Sequence, residues 1–136
     1  MENLLFALLQ MLHNVGAVSV SACPLVILYL IQRRLIFNIR KILTFTLLMW
    51  LVQLFTGIGF GITSYQLYGH VPDLESFAKL ALILKISCLL ISIMGYSFLL
   101  FKTQTEILLN APMTWQALSL LGLIPLLSAA VLRWYV

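Results

Sequence analysis

Two residues in this sequence could do chemistry where their neighbours cannot. His13 lies within an apolar run near 4–31, and Lys85 within another near 77–101. An imidazole offers a proton donor, an acceptor or a metal ligand, and a lysine offers a cation with three donors. A protonated lysine near the centre of a membrane helix costs about 2.5–3.5 kcal/mol, so it needs company. No Asp or Glu falls inside any of the apolar runs. Lys85 must therefore be neutral, hydrated, hydrogen-bonded to Gln53 or His13, or paired with a bound anion. A ligand carboxylate suits the last role.

The elements that must position these residues are membrane spans. The chain has 136 residues, 62% of them hydrophobic and only 9% charged. A soluble domain carries roughly a quarter charged residues, so the natural solvent here is a bilayer. Residues 1–136 form a single integral membrane domain with four apolar stretches near 4–31, 42–64, 77–101 and 114–135. About 20 helical residues cross the hydrocarbon core, so each stretch is long enough to span. The expected fold is all-α, a four-transmembrane-helix antiparallel bundle.

Orientation follows the basic residues in short loops. Arg33, Arg34, Arg40 and Lys41 crowd the first loop, whereas Asp73 and Glu75 occupy the second. Loops one and three then face the cytoplasm and both termini lie outside, with Arg133 as the one dissenting charge. The basic cluster reads as a topology signal. It lacks interleaved aromatics for stacking bases, so no nucleic acid is expected as a partner. The run IQRRLIFNIRK (31–41) is expected to lie along the inner interface. Asp73 and Asn110 are placed as helix caps, with Glu75 and Pro112 in first turns. Tyr65, Tyr68, Trp115, Trp134 and Tyr135 take aromatic-belt positions. The segment VSAC (20–23) looks like a lipoprotein cleavage box, but MEN has no basic residue and the apolar run continues to Ile31, so a signal peptide is not expected.

This topology levels the polar residues. His13 lies about nine residues inside the first helix, roughly 14 Å, and Lys85 about eight inside the third, roughly 12 Å. Gln53 lies about eleven residues, or roughly 16 Å, from the outer end of the second. Asn14 adjoins His13, and Ser128 lies slightly nearer the surface. His13, Asn14, Gln53 and Lys85 thus form a polar layer in the outer half. Such groups also hydrogen-bond across helices for packing alone, at about 0.6 kcal/mol each.

Other chemistries find little support. Cys23 and Cys88 fall in apolar runs and read as buried, inert thiols. No metal box has the right spacing, and no Ser-His-Asp set can be assembled without an acid in the spans. FTGIGFG (55–61) follows no strand, so it is not a nucleotide loop. Its Gly57 and Gly61 have GxxxG spacing, which suits close packing against another helix, a second copy of the chain included. Gln10, Asn14, Ala17 and Ser21 form a small and polar packing stripe on the first helix. Haem remains as a cofactor, with His13 as axial metal ligand, Lys85 against a propionate, and Asn14 and Gln53 lining the site.

Three stretches resemble the small four-helix membrane proteins related to copper-resistance protein D and to HemJ-type protoporphyrinogen oxidases. MLHNVGAVSVSA (11–22) is similar to their opening helix, LFTGIGFGI (54–62) to the end of their second, and KLALILKISCLLISIMGY (79–96) to their third. The resemblance implies an oxidoreductase associated with haem b in a bacterial inner membrane, with His13 and Lys85 as the catalytic pair. Lys79 is a competing match that lies too near the interface. The chain departs from the oxidase pattern after His13, where CPLVILYLIQRR (23–34) replaces a Trp and a Pro-Arg pair. The expectation is a membrane protein with a haem- or porphyrin-binding pocket. The alternatives are a scaffold or accessory subunit and, third, metal-ion passage.

Overall fold

The computed structural model describes residues 2–35, 37–69 and 76–134. Among them are five helices: α1 (Glu2–Gln32), α2 (Ile39–Tyr68), α3 (Ser76–Lys102), α4 (Thr105–Leu109) and α5 (Pro112–Trp134). The four long helices match the four expected spans to within a few residues at each end. All four are long and apolar enough to cross a membrane. Their outward side chains are apolar as well: Met94 is 73% exposed and Phe101 77%. Such a surface needs lipid, and helices satisfy their own backbone groups there. The chain is an all-α integral membrane protein.

α1 packs chiefly against α2 and α5, and α3 against α5 and α2. The long helices therefore form a square with α1 and α3 on a diagonal. A side chain joining α1 to α3 must cross the bundle interior. One end of the square carries the N-terminus and the start of α3 (the terminal end). The other carries the α1–α2 turn and α4 (the basic end).

α1 and α5 approach closely because of three residues. Pro24 lacks an N–H and so leaves the Val20 carbonyl without its helical donor. Gly122 packs on that carbonyl, where a Cβ would come within 2.7 Å of the Val20 oxygen. The single Ser21 hydroxyl hydrogen is then shared between the Gly122 carbonyl at 3.0 Å and Ala17 O at 2.9 Å. The inner part of the small-residue stripe on α1 is thus a packing face. Its outer members, Gln10 and Asn14, are exposed and bond each other at 3.1 Å.

At the basic end the expectations need correction. The run 31–41 is divided between the end of α1 and the start of α2. α1 ends at Gln32, Arg34 turns the chain with φ 53°, and Asn38 caps α2 by accepting from the Lys41 N–H. Arg40 is more than a topology signal. Its guanidinium donates to Leu100 O at 2.6 Å, Thr103 O at 3.0 Å and Thr105 Oγ1 at 3.3 Å, closing the C-terminus of α3. Trp115 is fully buried, not a belt residue, and its indole donates to Leu108 O at 2.8 Å to hold α4. Asn110 is the C-cap of α4, while Pro112 does open α5. His70, Pro72, Asp73, Glu75 and Tyr135 lie outside the described residues, as do the side chains of Tyr68, Arg133 and Trp134.

Gly57 and Gly61 make no close approach to another described helix. Nothing lies within 4 Å of a Cβ built on either one. This pair predicts a contrast with Gly122. Gly122→Ala should lower stability by about 1–3 kcal/mol through overpacking on backbone, and Gly57→Ala should leave it unchanged or raise it by up to about 1 kcal/mol through helix propensity. Thermal unfolding of both variants in one detergent checks this, and equal effects would contradict it.

Candidate functional site

The diagonal between α1 and α3 is bridged by the two residues singled out from the sequence. Lys85 Nζ lies 3.1 Å from His13 Nε2. On its other side, His13 Nδ1 lies 2.8 Å from Thr56 Oγ1 of α2. The Phe60 ring stands edge-on to the imidazole at 5.4 Å and 79°, which limits its rotation. Lys85 sits on α3, and Thr56 and Phe60 on α2, so the histidine ring of α1 ties three of the four long helices together.

Bond directions in this chain can be worked out from Thr56. A threonine hydroxyl has one hydrogen. That of Thr56 points at Val52 O, 2.6 Å away on its own helix. Thr56 Oγ1 is then left to accept, so His13 Nδ1 donates to it. His13 Nε2 carries the lone pair and accepts from Lys85. The order is Lys85 to His13 to Thr56 to Val52 O.

Gln53 supports the ring from the backbone. Its side-chain amide donates to the His13 carbonyl. It reaches that far because residue 16 is glycine: a Cβ there would lie 2.6 Å from Gln53 Nε2. Of the bonds open to Lys85 from the sequence, the one to His13 is made, and Gln53 serves the His13 backbone instead. Ser128 does not join them, since its hydroxyl donates to Ile124 O at 2.9 Å within α5.

A cavity of about 80 Å³ opens beside Lys85. His13, Asn14, Gln53 and Lys85 all line it, together with Trp50 and Leu89. The four expected layer residues therefore meet at one place. Sequence reasoning missed Thr56, Phe60, Gly16 and Trp50 as members. Thr56 was legible as the hydroxyl three residues after Gln53, on nearly the same face of α2.

Comparison with protein-family models, curated proteins and solved structures finds no match. The resemblance to the copper-resistance and oxidase proteins rests on its sequence motifs alone.

Haem places two demands on such a site: a ring nitrogen facing open space, and a slot for the macrocycle. Both nitrogens of His13 are engaged, with Thr56 and with Lys85. Pockets that enclose drug-sized ligands measure roughly 300–1,000 Å³, well above the 80 Å³ present. As packed, these residues do not fit a haem. Among the described residues no group of three or more His, Cys, Asp or Glu could hold a metal ion. The cavity instead suits a few waters or an anion of similar size.

The donor order has a direct check. ¹⁵N spectra of His-labelled protein should show His13 protonated at Nδ1. Thr56→Val should leave the proton on Nδ1, because Lys85 still donates to Nε2, and should cost about 1 kcal/mol of stability by leaving that N–H unpaired. A ring protonated at Nε2 in the unaltered protein would contradict this order.

Proposed function

We propose that the cavity beside Lys85 is a binding site for a small anion, a carboxylate of a few heavy atoms by preference. The observation that carries this is the state of Lys85. It is half-buried and hydrogen-bonded to His13, it lines a mostly apolar cavity together with Asn14 and Gln53, and no carboxylate lies in any span. An ammonium has three donors, and the imidazole takes one. A bound anion accepts from the others and offsets the charge. Intramembrane ionisable residues ordinarily mark such sites. By the positive-inside rule the basic end faces the cytoplasm, and the cavity then opens toward the outer half.

His13 in this reading is a fixed acceptor that aims the lysine, with Asn14 and Gln53 as neighbouring amides. A haem or porphyrin role on His13 and Lys85 would require the helices to part and the Lys85–His13 bond to break. A second reading, a membrane scaffold, has one observation in its favour: the Gly57 and Gly61 face of α2 is open. It predicts that Lys85→Met leaves thermal stability unchanged or raised and that no anion binds.

Formate and acetate are the probes for the first reading. Protein in nanodiscs should show a saturable change in tryptophan fluorescence on titration with either, since Trp50 lines the cavity. A charged hydrogen bond is worth roughly 1.5–3 kcal/mol, so Lys85→Met should weaken binding at least about tenfold. Lys79→Met, at an exposed position, should not. A response that is linear and equal in all three proteins would overturn the anion reading. A Soret band in the purified protein that His13→Ala removes would replace it with a porphyrin site.

A further inference from the structure

Three polar side-chain atoms in the bundle interior have no hydrogen-bond partner among the described residues: Trp50 Nε1, Ser92 Oγ and Tyr96 OH. The residues are 2%, 0% and 1% exposed. Each such atom left unpaired costs about 1–3 kcal/mol, and three together would be a large fraction of a small protein's stability. Native proteins meet buried polar groups with ordered water, at roughly one buried water per 27 residues. A chain of this length accommodates about five.

Their placement is more informative than their number. Lys85, Leu89, Ser92 and Tyr96 recur at helical spacing and so share one face of α3. Lys85 and Leu89 line the cavity, as does Trp50 from α2. Trp50 thus joins the cavity to the row. From Lys85 to Tyr96 is a rise of about 16 Å, and Tyr96 then lies about 9 Å from the end of α3 at Lys102. The hydrocarbon core is about 30 Å thick. The row therefore covers the half of the bundle that the cavity does not.

We infer that this row is a hydrated path along which protons cross the bundle, from the Lys85 cavity past Trp50 and Ser92 to Tyr96. Each transfer is an exchange between neighbours: a water, a hydroxyl or Lys85 takes a proton on one side and releases one on the other. The Trp50 indole only donates, so it orients a water and takes no part in transfer. No covalent bond to carbon changes and no electron moves. The pH difference across the membrane drives the net flow. Leu89, between Lys85 and Ser92 on the same face, is the narrow apolar point. The path shares the cavity and Lys85 with the anion site, but Ser92 and Tyr96 belong to the path alone, so their variants test it separately.

The test is proton entry into liposomes holding the full chain, with pyranine inside and valinomycin and potassium clamping the potential. Formate and acetate are left out, so the anion site plays no part. After an external acid step, entry should be at least about threefold faster than in protein-free vesicles. Ser92→Ala and Tyr96→Phe should each remove most of that excess, while Gly57→Ala on the open face keeps it. Where Tyr96→Phe does not fold, Ser92→Ala decides. Magnetisation transfer from water to the Trp50 indole N–H gives an independent reading and should be strong. Entry no faster than in empty vesicles, entry unchanged in the variants, or a dry indole would each overturn the path.

Discussion

The structure is organised by the cost of placing one lysine in an apolar bundle without a carboxylate. Hydrocarbon cannot solvate an ammonium, and this chain offers no acid in its spans. The bundle answers with geometry. Lys85 sits on α3, diagonal to α1, and its nitrogen meets the imidazole of His13 in the interior. The imidazole is held from behind by Thr56 and from the side by Phe60. An acceptor nitrogen in a fixed place is what the lysine requires, and three helices cooperate to supply it.

That contact depends on close packing elsewhere. Gln53 reaches the His13 carbonyl only because residue 16 has no side chain. α1 and α5 meet at the Val20 carbonyl because Pro24 leaves that carbonyl free and Gly122 lets a backbone approach it. Far from the site, Arg40 closes the end of α3 and Trp115 fixes α4. These residues touch no ligand, yet they set the separation and register of the helices that carry His13, Gln53 and Lys85. A shift of an ångström between α1 and α3 would lose a 3.1 Å hydrogen bond.

The sequence reveals the spans and the polar layer for simple reasons. Apolar length marks a helix in a membrane, and 1.5 Å per residue converts position into depth. His13, Gln53 and Lys85 are therefore level before any contact is known. Depth says nothing about azimuth, and there the sequence is ambiguous. Gly57 and Gly61 have the spacing of a packing face but point to open space, whereas Gly16 and Gly122, without that spacing, make the close approaches. Arg40 looks like its neighbours Arg33, Arg34 and Lys41. Only the folded chain brings the Leu100 and Thr103 carbonyls to it. Ser92 and Tyr96 likewise look like ordinary members of an apolar helix until their burial without partners is known.

His13 and Lys85 meet across the diagonal with the lysine as donor. Solid-state NMR on protein labelled with ¹⁵N at both side chains, in lipid, measures that separation directly. The expected distance between Lys85 Nζ and His13 Nε2 is near 3.1 Å, together with an acceptor-type shift at Nε2. A separation beyond about 5 Å, well outside hydrogen-bond reach, or a protonated Nε2 would contradict it.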